Sequence, residues 1–66
     1  MDEEERYRKE LDELKIEHDE LDRKINRITS RGDYDQLRVQ RMKKRKLWVR
    51  DKMLLIEKFL YPDIIA

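Results

Sequence analysis

The clearest chemical potential in this chain lies in eight basic side chains within fifteen consecutive residues. They are Arg38, Arg41, Lys43, Lys44, Arg45, Lys46, Arg50 and Lys52. Lys and Arg clustered along a helix can neutralise phosphates, so the run suggests a nucleic-acid contact through Arg41, Lys43, Lys44 and Arg45. We favour a solvated, salt-bridged face instead, because the whole chain carries a net charge of only +1. Trp48 is also the only aromatic residue in the run, which is too few for a base-stacking platform.

A second candidate site combines His18, Asp22 and Lys46. His18 and Lys46 occupy positions in two otherwise apolar periodic series, and Asp22 follows His18 at the i,i+4 spacing of helical neighbours. One hypothesis is a pH-sensitive switch, in which protonated His18 repels Lys46 and loosens the fold. We favour a satisfied polar layer, with the imidazole hydrogen-bonded to Asp22 and Lys46 reaching solvent along its aliphatic stem.

The sequence contains no motif that points to catalysis or cofactor binding. It has no Gly-rich phosphate loop and no cysteine nucleophile, and its single histidine has no evident second base. One histidine without cysteine makes a zinc site only if several carboxylates converge on it. We therefore predict a protein that is not an enzyme and has no metal or cofactor.

Two periodic segments, mirrored about Gly32, must position these residues. Their members alternate at spacings of four and three, an average of about 3.5 that is typical of a helix packed along one stripe against another helix. The first series is Tyr7, Leu11, Leu14, His18, Leu21, Ile25 and Ile28. The second series is Val39, Met42, Lys46, Val49, Met53, Ile56 and Leu60. We call these fourteen positions the seam.

The seam predicts an all-α fold: a long antiparallel helical hairpin, or two-helix coiled coil, in one domain spanning residues 1–66. The expected elements are a first helix at about 3–30, a turn at about 31–33, a second helix at about 34–61 and a short tail at 62–66. Gly32 suits a left-handed cap. Asp33 suits the N-cap of the second helix, with Gln36 completing a capping box.

Charge is distributed unevenly between the two segments. Residues 1–22 carry eleven Asp and Glu against four Lys and Arg, whereas residues 23–52 carry twelve Lys and Arg against three Asp. A hairpin lays the acidic half of the first helix beside the basic middle of the second, which predicts ion pairs along its edges. Facing residues have numbers that add to about 64 or, in a register about one turn away, about 67.

The second segment carries more apolar surface than the seam can bury. Two further apolar flanks run along it, one of Leu47, Leu54 and Tyr61 and the other of Trp48, Leu55 and Phe59. A helix that is apolar on most sides is expected to be buried on most sides. The residues predicted to form an interface are Leu47, Trp48, Leu54, Leu55, Phe59 and Leu60. We favour a homodimer that makes a helical bundle, and the alternative is a groove for another protein.

Composition limits the stability and the location of the chain. It has 66 residues, half of them charged, and chains this short commonly need a disulfide, a metal or an oligomer. Because the chain has no cysteine, we favour self-association as the source of the additional stability. No apolar run approaches the roughly 20 residues that cross a bilayer, and the acidic start is unlike a signal peptide. We expect a cytoplasmic protein that does not contact a membrane.

Several blocks of the sequence together resemble a known family. Residues 17–25 read EHDELDRKI, Gly32 follows, residues 41–47 read RMKKRKL, and residues 50–53 read RDKM. The order is similar to the YdcH-like small bacterial proteins, whose pattern is H-x-x-L-D-x-x-I, a glycine turn, and M/L-K-K-x-K-L-x-L-K-D-E-I/M. The matching positions are His18, Leu21, Asp22, Ile25, Met42, Lys43, Lys44, Lys46, Leu47, Asp51 and Met53.

The resemblance spans about residues 17–56 and departs from the family pattern at three positions. Val49 replaces the usual Leu, Arg50 replaces Lys, and Lys52 stands where the family tends to have Glu. The last change reverses a charge, which puts a shared surface partner at that position in doubt. The resemblance implies a short cytoplasmic helical hairpin of uncharacterised function, with no catalytic residue, substrate or cofactor.

The residues and the resemblance lead to one functional prediction. We predict a non-enzymatic interaction or structural protein that acts by helix–helix self-association, with a dimer favoured, and by protein contacts. The alternative is a small nucleic-acid-binding accessory protein that uses the basic stretch of the second helix.

Overall fold

The computed structural model describes residues 2–62, which form two α-helices packed against each other. Helix α1 spans Glu3–Thr29 and helix α2 spans Gln36–Leu60. The short connection at residues 30–35 brings α2 back along α1, so the predicted helical hairpin is confirmed. Of the predicted tail, residues 63–66 lie outside the described residues.

The seam between the helices contains all of the buried core. Within residues 2–62, every buried side chain lies at a seam position, and the other seam positions are partly buried. The buried residues are Leu11, Leu14, Ile25, Val39, Val49 and Ile56. Val49 is fully buried, and Tyr7, Leu21, Met53 and Leu60 pack against the cluster around it. The 3.5-residue periodicity therefore identified the inner face of both helices.

The turn uses Gly32 as expected. The N–H of Ser30 donates to the carbonyl of Asn26 at 3.0 Å, which closes α1, and the N–H of Gly32 donates to the carbonyl of Thr29 at 3.3 Å. Gly32 has a φ of +82°, in the left-handed region that residues with a Cβ rarely adopt. It lies two residues beyond the cap residue Ser30.

The predicted start of α2 was wrong by two residues. Asp35, not Asp33, is the N-cap: its Oδ1 accepts hydrogen bonds from the backbone N–H groups of Leu37 at 3.0 Å and Arg38 at 3.4 Å. Either aspartate could cap this helix, and the later one satisfies two free N–H groups at once. Gln36 is consequently the first helical residue, so it cannot serve at the third position of a capping box.

The end of α2 follows from the proline. Leu60 is the last helical residue, and the N–H of Tyr61 donates to the carbonyl of Glu57 at 2.8 Å. Pro62 has no N–H, and it disfavours helical dihedrals at the residue before it. The helix therefore ends one residue earlier than its predicted boundary.

Truncation of a core leucine tests the assignment of the seam. Leu14→Ala should lower the free energy of unfolding by about 2–5 kcal/mol, because Leu14 is buried and its loss leaves a cavity. The matched control is Leu37→Ala in α2, where the side chain is 56% exposed, and it should change stability by less than about 0.5 kcal/mol. Urea unfolding followed by circular dichroism, at one protein concentration, measures both. Equal losses in the two variants would contradict the seam.

Substitution of Gly32 tests the turn. Gly32→Ala should cost about 1–2 kcal/mol of stability, because an L-residue with a Cβ resists positive φ. A Cβ added at this position would meet no atom within 4 Å, so the loss would come from the backbone and not from a clash. Gly32→Asn should cost less, since asparagine tolerates the left-handed region better than alanine. Thermal unfolding of the three proteins gives the order, and an alanine variant as stable as wild type would refute this account of the turn.

Candidate functional site

The surface of α2 that faces away from α1 is rich in large apolar side chains. Six of them are between 39% and 63% exposed, although they lie within fifteen consecutive residues, five in α2 and the sixth directly after it. They are Leu47, Trp48, Leu54, Leu55, Phe59 and Tyr61. We call this surface, together with the exposed residues Asp51 and Lys58 that lie among them, the outer face. Leu60 was predicted to belong to the interface, but the structure places it partly buried against the core cluster.

The outer face lies directly opposite the seam. Asp51 is two residues from both Val49 and Met53, and two residues are about 200° around an α-helix. Lys58 stands in the same relation to the seam residues Ile56 and Leu60. Asp51 and Lys58 therefore mark the midline of the outer face, and the apolar flanks lie on either side of it.

Two aromatic contacts occur at the edge of the outer face. The guanidinium carbon of Arg45 lies 4.3 Å from the centroid of the Trp48 ring, within the range of a cation–π interaction. The ring of Phe59 stacks on that of Tyr7 in α1, with centroids 5.5 Å apart and an interplanar angle of 4°. Neither contact covers its ring, because Trp48 and Phe59 remain 47% and 63% exposed. The outer face is thus partly ordered within one chain but still open.

Helix α1 has no comparable apolar surface. Ile16 is the one large apolar side chain that α1 exposes along its fully described length. The outward positions of α1 are otherwise mainly Asp, Glu, Lys and Arg, as expected of a solvated helix face. An apolar partner of this hairpin would therefore be recognised by α2 alone.

Two ion pairs join the helices on opposite edges of the seam. Arg45 donates to Glu17 through Nε at 2.6 Å and through Nη2 at 3.2 Å, a bidentate arrangement. Lys46 Nζ donates to Asp22 Oδ1 at 2.5 Å. Both pairs connect the acidic part of α1 to the basic run of α2, as the charge pattern predicts. The residue numbers add to 62 in the first pair and to 68 in the second, so the two pairs lie on either side of the predicted totals and do not select one register.

The ion pairs change the proton affinities of their members. The hydrogen bond from Arg45 lowers the pKa of Glu17; burial acts in the opposite direction, and the charge of Arg45 adds to the lowering. The same hydrogen bond raises the pKa of Arg45. The hydrogen bond from Lys46, followed by the charge of Lys46, lowers the pKa of Asp22. Both carboxylates are therefore held in their charged form.

The polar layer differs from the favoured prediction. Asp22 was expected to bond to His18, and Lys46 was expected to extend into solvent, but Asp22 accepts its hydrogen bond from Lys46 instead. The ammonium group is a full charge on a long stem, and a charge-assisted hydrogen bond is stronger than one from a neutral imidazole. His18 is partly buried and lines the same open groove of about 410 Å³ as Asp22 and Lys46. The pH-switch hypothesis for His18 stays a prediction.

The basic residues proposed for nucleic-acid contact are not equally free. Arg45 is engaged by Glu17 and lies over Trp48. Arg41, Lys43 and Lys44 are exposed, and no carboxylate pairs with them within residues 2–62. The structure thus leaves three of the four predicted contacts open to solvent and commits the fourth to the hairpin.

Neither a cluster of metal ligands nor a membrane-spanning helix occurs in the described part of the chain. Between Asp2 and Pro62, no three His, Cys, Asp or Glu side chains come together as metal ligands would. Neither α1 nor α2 combines the length with the apolar character that crossing a bilayer requires.

Sequence reasoning missed two features of this surface. The sequence analysis gave Asp51 and Lys58 no place in the interface, although their opposite charges at a spacing of seven put them on one line along the helix. The stacking of Tyr7 on Phe59 was also not anticipated. Tyr7 was assigned to the seam and Phe59 to the interface, and nothing in either periodicity indicates that the two rings meet.

Acid titration tests the two ion pairs. A carboxylate whose pKa is lowered by folding stabilises the native state above its ordinary pKa, about 3.9 for Asp and 4.3 for Glu, and this stability is lost as pH falls through the lowered native value. The free energy of unfolding should therefore fall as the pH drops below about 5. The double variant Glu17→Gln, Asp22→Asn should show a shallower fall in urea titrations.

Asp19→Asn is the control for that experiment. Asp19 is an exposed carboxylate of α1 that takes part in none of the ion pairs formed within residues 2–62. Its variant should keep the wild-type acid dependence. A double variant that loses stability as steeply as wild type would show that the two pairs do not contribute to the pH dependence.

Comparison with known proteins places the chain in a family. No curated protein and no solved structure matches it. One family model does match, over residues 11–57, and its description is protein of unknown function, DUF465. The match includes most of both helices and the turn, and YdcH is a member of this family, so the resemblance read from the sequence motifs is confirmed. The chain belongs to the DUF465 family.

Proposed function

We propose that this protein is a non-enzymatic interaction protein that acts by self-association through the outer face of α2, most simply as a dimer, and by contacts with other proteins. The observation that supports the proposal is the exposure of six large apolar side chains on one side of one helix. Single exposed apolar residues are ordinary on protein surfaces, but a contiguous group of them usually marks an interaction site.

The size of the core supports the same proposal. Six side chains are buried within the described residues, and all of them lie along a single seam. A chain of this length needs additional burial, and no cysteine is present to supply a disulfide. Covering the outer face would add a second apolar interface on the opposite side of α2, which would then be enclosed between two partners.

Charge reversal of the apolar surface tests the proposal. Leu55→Glu should convert a dimer into a monomer at micromolar concentration, because burying an unpaired carboxylate opposes association. The matched control is Ile16→Glu, which makes a similar change at the exposed apolar residue of α1 and should leave the mass unchanged. Light scattering after size exclusion, at several concentrations, gives the mass, and circular dichroism checks that both variants stay helical. A wild-type monomer at every concentration, or a dimeric Leu55→Glu variant, would refute self-association through this face.

The alternative function is nucleic-acid binding, and the exposed side chains of Arg41, Lys43 and Lys44 favour it. The engagement of Arg45 by Glu17 argues against it, since a carboxylate already neutralises part of the basic run. Anisotropy titrations with labelled DNA and RNA at low salt separate the two functions, because phosphate contacts are strongest under those conditions. Absence of binding there would eliminate the nucleic-acid function and would leave the interaction function unaffected.

A further inference from the structure

We infer that the partner on the outer face is a second copy of this chain, bound antiparallel about a two-fold axis that passes between Leu54 and Leu55. The inference rests on the proposed self-association and specifies its geometry. It is carried by the placement of two opposite charges, Asp51 and Lys58, in the middle of an otherwise apolar surface.

The midline of the outer face is the place where unpaired charge is most unfavourable. Asp51 and Lys58 are both exposed in the single chain and lie opposite the seam, with apolar flanks on both sides. Any partner that covers the flanks also covers this midline. An apolar partner would bury the two charges without counter-ions, and an unpaired buried charge is strongly destabilising. The partner must therefore offer a positive charge opposite Asp51 and a negative charge opposite Lys58.

A second copy meets this requirement in one orientation. In a two-fold antiparallel pair of helices, residues equidistant from the axis face each other. With the axis between Leu54 and Leu55, Asp51 and Lys58 are equally far from it, at about 5 Å along the helix. Asp51 then faces Lys58 of the partner subunit, and Lys58 faces Asp51 of the partner subunit. A parallel pair would instead place like charges opposite each other at both positions.

The apolar flanks fit the same symmetry. A two-fold axis perpendicular to the helices brings each flank against the same flank of the second copy. Leu54 and Leu55 lie at the centre, one on each flank, and meet their own counterparts. Leu47 and Tyr61 lie almost equally far from the axis, so Leu47 packs near Tyr61 of the partner subunit. The six exposed apolar side chains thereby acquire apolar neighbours, while the two charges between them are neutralised.

The arrangement places the two α2 helices in the centre and the two α1 helices on the outside. Each α2 would pack against α1 through its seam and against the second α2 through its outer face. The charged outward surface of α1, with Ile16 as its exception, would remain in solvent. The assembly is a layer of four helices, because the outer face lies directly opposite the seam.

Charge reversal with rescue tests this geometry. Asp51→Lys alone places four positive charges on the midline, and Lys58→Asp alone places four negative charges there. Each single variant should raise the dimer dissociation constant at least about tenfold, since like charges facing each other across an interface oppose association. The double variant Asp51→Lys, Lys58→Asp restores both pairs with reversed polarity and should return close to wild-type affinity. An equimolar mixture of the two single variants should form a heterodimer for the same reason.

All measurements use the whole chain, either wild type or carrying these substitutions. Sedimentation equilibrium gives the dissociation constants. The fluorescence emission of Trp48, the only tryptophan, reports burial of the outer face as the protein concentration is raised. Asp19→Lys makes the same charge change on the exposed surface of α1 and should leave dimerisation unchanged. Circular dichroism confirms that each variant keeps its helices.

The outcomes separate this inference from the proposed function. Weakened single variants with a restored double variant support the antiparallel pair. If the wild-type protein is a dimer and the single variants dimerise as tightly as wild type, the antiparallel geometry is overturned and self-association stands. A double variant that dimerises as weakly as the single variants would also overturn the geometry and leave self-association standing. A monomeric wild type would overturn self-association itself.

Discussion

The structure depends on one constraint: two helices share only one interface, so each can bury one stripe of side chains and no more. The seam meets this constraint with fourteen positions at a spacing of about 3.5 residues, and every buried side chain in residues 2–62 belongs to it. The turn, the edge ion pairs and the orientation of every other residue follow from the direction in which the seam faces. A residue two positions from a seam residue must point away from the partner helix, whatever its chemistry.

Polar groups at the margins of the seam add contacts that apolar packing does not provide. The bidentate contact of Arg45 with Glu17 and the contact of Lys46 with Asp22 tie a basic stretch of α2 to an acidic stretch of α1 on both edges. Gly32 supplies the left-handed backbone conformation that this turn uses, which residues with a Cβ rarely adopt. Both ion pairs are partly exposed, and ion pairs near the surface usually add little to the free energy of unfolding.

Much of this fold could be predicted from the sequence, because periodicity is a property of many residues together. The seam, the hairpin and the left-handed glycine were all predicted, and no single substitution would have hidden them. The features that failed each depend on a competition between two similar groups. Asp33 and Asp35 can both cap α2, and only the geometry of the turn selects Asp35. His18 and Lys46 can both reach Asp22, and the selection depends on side-chain length and charge across the seam, which sequence spacing does not record.

The same reasoning explains why only part of the candidate site could be predicted from the sequence. The excess of apolar residues between 47 and 61 was evident from composition alone, whereas the meaning of Asp51 and Lys58 requires knowing which side of α2 is already occupied. Once the seam is fixed, these two residues lie on the midline of the opposite face, and both are exposed. Apolar flanks would accept many partners in many orientations, because burial is not directional. Two opposite charges at a fixed separation are both neutralised only by a partner that presents a positive and a negative charge in the reverse order. An antiparallel copy of the same helix would present that order by symmetry. In the proposed antiparallel dimer, the two charges would contribute less binding energy than apolar side chains, but they would disfavour the parallel arrangement and purely apolar partners.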